Sequence, residues 1–214
     1  MSDLDQLPVT RKRGRPKTLD EETRRQAILA SAYDAFKEVG FAKTTTADVA
    51  KRAKTSKRNI YELFTNKIEL FAAVIAHHRH LLVDLPRPES ENLSIEETLH
   101  KIFQLDIVGD EAQIRAAMLH LLHREAVLFP ELTDYLYEQR IICHRELVMD
   151  WLELENQRGR IQIDDVEVYA GLLMDVVFGA LLPRSIQHAA TGHELRVAHI
   201  KKRLQIILAS MNVA

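Results

Sequence analysis

The chain has 214 residues, 46% of them apolar, carries a formal net charge of -2 and contains a single cysteine, Cys143. That apolar fraction excludes a disordered polymer, and one thiol excludes an internal disulfide framework. No run reaches the length of a membrane span, and no basic start leads into an apolar leader, so a soluble cytosolic protein is expected.

The charge is unevenly shared. Residues 1–80 hold 16 Lys and Arg against 10 Asp and Glu, whereas residues 81–214 hold 13 against 21. A basic front joined to an acidic remainder suggests that the front meets a polyanion. Its densest stretch is RKRGRPK, Arg11 to Lys17, where Gly14 and Pro16 disfavour a helix. Residues 1–20 read as a flexible basic arm.

From Asp20, a possible cap, a helix is expected over 21–39, with Ile28, Ala32, Ala35, Phe36 and Val39 at helical spacing and Gly40 as its stop. Thr45 and Thr46 cap a short helix over 46–53, and Ser56 caps a third over 57–63. Asn66 caps a fourth that runs through Leu82. Two short helices joined by a tight turn, with a longer one before them, read as a helix-turn-helix. Pro86 to Ser90 forms a linker. Beyond it, helices are expected over 94–107, 111–128, 131–156, 165–187 and 193–210, with Ile161 to Asp164 as a short extended link. The fold class is all-α: an N-terminal three-helix DNA-binding unit over 21–81, motif at 44–63, and a larger helical domain over 82–214.

Helix 3 of a helix-turn-helix reads base edges through its N-terminal residues, here Lys57, Arg58 and Asn59. Arg and Lys suit guanine O6 and N7, and Asn suits adenine. The bland alternative for these positions is a solvated charged face.

Residues 28–74 resemble the DNA-binding domain of TetR-family transcriptional regulators. The resemblance rests on the apolar spacing of the first helix, Gly40-Phe41, Thr45-Thr46, Asp48-Val49-Ala50, Ser56-Lys57, Ile60-Tyr61, Phe64, Lys67, Leu70 and Val74. The run EAVLFPEL, Glu125 to Leu132, is similar to AefR-like C-terminal domains. Lys54-Thr55 stands where the family usually has Gly-Val, so a non-glycine residue is expected in a left-handed turn. Arg58 stands where members often have Gly.

The resemblance implies that Thr45, Thr46, Tyr61 and Lys67 hold phosphates, although the Tyr61 ring also suits a core position. It implies a bacterial homodimer on double-stranded DNA, its last two helices forming a four-helix interface where Gly171 and Gly179 permit close approach. It also implies a domain for a small apolar or amphipathic effector, with Phe103, Met118, Leu122, Tyr135, Met149, Trp151 and Met174 as candidate lining. The same side chains equally suit an ordinary core. RGRP resembles an AT-hook core, so Arg13, Gly14 and Arg15 are expected in a minor groove, the alternative being a solubilising tail.

Two other classes compete. A di-metal helical enzyme needs two Glu-x-x-His motifs, and only Glu97 to His100 is present. No phosphate loop or nucleophile elbow occurs, and Cys143 and His144, as helix neighbours, point apart. No enzyme activity, cofactor or metal is therefore expected. A helical protein-interaction module accounts for the acidic remainder but not for the ordered basic motif.

Overall fold

The computed structural model describes residues 17–88, 90–182 and 192–211, and these form helices with no strand among them. The first helix, α1, spans Lys17–Lys43 and is broken at Gly40, where φ is 84° and ψ is 170°. It begins before Asp20, so that residue lies inside the helix and not at its start. The expected stop at Gly40 is a sharp break after which one further turn follows.

Helices α2 (Thr46–Arg52) and α3 (Lys57–Leu63) have seven residues each, too short to persist alone. Thr45 and Asp48 close a reciprocal capping box on α2, and Ser56 accepts from the Asn59 N–H on α3. Between them Lys54 has φ 50°, the left-handed conformation anticipated there. Val49, Ala50, Ile60 and Phe64 bury the pair against α1. Helix α4 spans Lys67–His78 and tightens into a 3-10 turn at Arg79–Leu81, short of the expected end at Leu82.

Beyond Pro88 come α5 (Ile95–Ile102), α6 (Gly109–Leu128), α7 (Pro130–Glu138), α8 (His144–Gln157), α9 (Val166–Leu181) and α10 (His193–Ser210). Three expected boundaries are corrected. The helix expected over 94–107 stops at Ile102, with Gln104 left-handed at φ 51°. The single helix expected over 131–156 is two, because Arg140 turns left-handed at φ 54°. There Ile141 N–H donates to Leu136 O and Arg140 N–H to Tyr137 O, the paired bonds of a Schellman cap. The helix expected to reach 187 ends at Leu181, where Leu182 turns extended. The link after α8 is extended: Asn156 bonds to both backbone groups of Ile163, and Gln162 N–H donates to Met211 O at 2.7 Å.

Two cores result. The second joins α5, α8, α9 and α10 around Phe103, Leu152, Leu173 and Leu204. The first holds Ile28, Phe36, Ile60, Phe64 and Phe71 of α1–α4, together with Met118 and Leu121 of α6 and Leu132 and Leu136 of α7. The short front helices therefore share their core with the helices that follow.

Candidate nucleic-acid interface

At the start of α3, Lys57 and Arg58 point into solvent, and the Arg58 side chain is 88% exposed. Its Nε donates to Glu62 Oε1 at 3.0 Å, an exposed i,i+4 pair that yields easily to a competing acceptor. Asn59 is half-buried, and its Nδ2 donates to Thr55 Oγ1 at 2.9 Å, so pairing with a base requires that bond to open. Beside them the hydroxyls of Thr46 and Tyr61 meet at 3.2 Å, tying the first turn of α2 to α3. Tyr61 is 52% exposed, so its ring is not a core element.

The remaining two expected phosphate groups are engaged elsewhere. The Thr45 hydroxyl donates to Asp48 Oδ2 at 2.5 Å and accepts from the Asp48 N–H. Lys67 turns inward: Nζ donates to Phe41 O at 2.8 Å and Ala42 O at 3.3 Å, and lies 4.3 Å from the Phe41 ring centroid. Burial lowers the pKa of this ammonium, with Glu125 opposing. Lys67 thus caps the carbonyls after the α1 break. Sequence reasoning passed over Lys43 and Lys51, which flank a groove between α1 and α2 with Asp48 and Arg52. Arg13, Gly14 and Arg15 lie outside the described residues.

Behind this surface, α4, α6, α7, α8 and α9 line a half-open cavity of about 190 Å³. Leu122 and Met174 line it, as expected positions, together with Phe71, Leu119, Leu136 and Phe178. The other five expected lining residues lie elsewhere. Phe103 and Met118 are fully buried core, and Tyr135 and Met149 are half-buried against the two cores. Trp151 lines a separate cleft between α5, α8 and the segment around Pro86. Three polar side chains on the first cavity were not foreseen: Glu125, Thr133 and His144. Glu125 had a legible signal, a carboxylate one helical turn beyond Leu121 on the apolar stripe of α6. Burial and nearby Arg79 push the His144 pKa down to about 4, so its ring is neutral.

The two glycines of α9 differ. A Cβ at Gly171 would lie 2.7 Å from Arg145 Nη2, the tip of a flexible exposed side chain that can move aside. Gly179 faces open space. Val168, Leu172, Leu195 and Ile206 leave exposed apolar surface along α9 and α10. Among the described residues no helix is long and apolar enough to cross a membrane, and no group of three or more His, Cys, Asp or Glu gathers for a metal.

A helix-turn-helix at the front of an all-helical chain is the architecture of a DNA-binding transcriptional regulator. Residues 28–74 match the family described as bacterial regulatory proteins, tetR family, and residues 106–210 match the AefR-like transcriptional repressor C-terminal domain. The chain is 50% identical over 194 residues to the HTH-type transcriptional regulator YdeS of Bacillus subtilis (strain 168), covering 89% of each chain. It is 26% identical over 122 residues to IcaR of Staphylococcus epidermidis, the negative transcriptional regulator of the biofilm operon icaADBC, covering 56% of this chain and 65% of that one. Among solved structures, Salmonella enterica GusR superposes with a TM-score of 0.66 at 20% identity, covering 87% of this chain and 96% of that chain. The flavonoid-responsive regulator FrrA superposes with a TM-score of 0.57 at 23% identity, covering 88% and 97%. These two share the fold. The chain belongs to the TetR family of bacterial regulatory proteins.

Proposed function

We propose that this regulator is an effector-responsive, dimeric repressor that binds a palindromic operator in the bacterial cytosol and works by binding alone, without catalysis or a cofactor. The observation that carries the reading is the pair Lys57 and Arg58, exposed at the start of α3 beside the Thr46–Tyr61 hydroxyl pair. In this reading Lys57, Arg58 and Asn59 face bases in the major groove. Thr46 and Tyr61 hold phosphates, with Thr45 and Lys67 shaping the backbone behind them. Arg13 and Arg15 lie in the adjacent minor groove. The exposed apolar surface of α9 and α10 meets a second copy, which sets the spacing of the two reading helices. The repressing sense is supported by IcaR, a negative regulator, and effector response by FrrA, named flavonoid-responsive.

Fluorescence anisotropy of the full chain on its own upstream intergenic DNA, against a scrambled duplex at two salt concentrations, tests the reading. Selective binding that weakens steeply with salt is expected, and Arg58→Ala should lose roughly 1–3 kcal/mol of base discrimination. Equal, weak binding to both duplexes would overturn it.

A further inference from the structure

The cavity and the DNA-binding head share a polar group. Glu125 is 2% exposed and lines the cavity, yet its Oε1 accepts from the Phe41 N–H at 3.2 Å, just after the α1 break. The same oxygen accepts from Arg124 Nε at 2.8 Å, and Arg124 Nη2 donates to Phe36 O at 3.1 Å. Gly40 is fitted to this joint. Its φ is +84°, and a Cβ there would lie 3.1 Å from Glu125 Oε1 and 3.2 Å from Arg124 Nη2. His144, also lining the cavity, lies near Arg79, which follows α4. One of the three polar groups on the cavity wall, Glu125, therefore holds the backbone just after the α1 break.

The wall also selects a ligand. Its polar groups are a carboxylate, a neutral imidazole and a hydroxyl, all able to accept, and none is a cation. An anion would meet the Glu125 carboxylate on a largely apolar wall, and the one cation at hand, Arg124, is already paired with Glu125. A donor with positive charge would satisfy it and compete with Arg124 and the Phe41 N–H. The volume of about 190 Å³ sets the size, since an apolar void of roughly 150 Å³ admits benzene.

We propose that the cavity binds a compact apolar ammonium, one ring or a short alkyl chain in size, through Glu125, and that this bond unlatches Phe41 and Arg124 and so loosens the head from α6. The proposal rests on the effector-responsive reading and names its ligand class and relay. Ligand binding would be felt at the α1 break, directly beneath the Thr44–Thr46 entry to α2.

The test uses the full chain without DNA. Calorimetric titrations would compare benzylammonium, 2-phenylethylammonium and hexylammonium with benzyl alcohol, 2-phenylethanol and phenylacetate. Amide hydrogen exchange at Phe41 would be followed in parallel. At least one ammonium should bind ten-fold or more tightly than its alcohol and speed Phe41 exchange at least ten-fold. In Glu125→Gln ammonium affinity should fall at least ten-fold, and added ammonium should no longer speed Phe41 exchange above that variant's own baseline. Leu122→Trp fills the cavity and leaves Glu125 in place, which keeps the test open if Glu125→Gln does not fold; it should abolish ammonium binding. The proposal is overturned if no ammonium binds, if alcohol or carboxylate binds as well, if Glu125→Gln binds undiminished, or if ligand leaves Phe41 exchange unchanged. A chain that passes these tests but ignores its operator would refute the regulator reading alone.

Discussion

Burial, more than any charged neighbour, sets the state of His144. Desolvation is the largest cause of its depressed pKa of about 4, followed by the Arg79 charge, while Glu146 opposes. The unfolded chain titrates this ring near 6.5 and the folded chain near 4, so between those values the unfolded state holds the extra proton. Stability must then fall as pH drops from about 6.5 to about 4, by on the order of 2–4 kcal/mol from this group. His78 is shifted in the same direction, but it is more exposed and should contribute less. Urea unfolding at several pH values should therefore show a smaller acid loss for His144→Asn than for the parent. Equal losses would mean that the ring finds solvent or an anion when protonated. The sequence placed His144 only as a helix neighbour of Cys143, because nothing in one strand of letters says that α8 begins against α4.

Caps explain most of what the sequence showed and hid at the scale of the element. Four helices end in paired backbone bonds with a left-handed residue, at Lys54, Gln104, Arg140 and Gly159. Only the last is a glycine, so a rule that looks for glycine finds one in four. Lys54 was legible because the family pattern has glycine there. Gln104 and Arg140 were not, and the helices expected over 94–107 and 131–156 ran on through them. Three N-caps were plain, since Thr45, Ser56 and Asn66 have the required side chains and do accept the bonds, whereas Asp20 lies inside α1 and the cap at Ser94 was read as the first helical residue. Cation roles divide along the same line. From the sequence Lys67 and Arg58 look alike, yet one caps carbonyls beside an aromatic cluster and the other faces water. Lys67→Met should cost about 1–2 kcal/mol of stability through two charge-assisted bonds and the ring contact, and should leave the salt slope of DNA binding unchanged. Denaturation and salt titration together read this out. A slope lowered by about one charge, with stability intact, would return Lys67 to the phosphates.

For the whole molecule, the uneven charge and the two cores describe one arrangement. The basic front keeps its core continuous with α6 and α7, so no separate joint divides the cavity walls from the front helices in that core. The opposite end is built differently. Val168 and Leu172 lie one turn apart on α9, and Leu195 and Ile206 lie three turns apart on α10, all exposed. Such a surface is costly in water unless covered, and in the proposed dimer a second copy would cover it with the same residues. Ile206 is 73% exposed in the single chain, so Ile206→Glu should leave its fold intact while placing a charge inside any interface made there. Sedimentation velocity should then show a monomer with the parent's helical circular dichroism. Its operator affinity should drop, and the slope of log K against log salt should fall by about half, because one head meets half the phosphates. A variant that still sediments as a dimer would move the interface away from the outer face of α10. A monomer that keeps the full slope would instead mean that two copies assemble on the DNA itself.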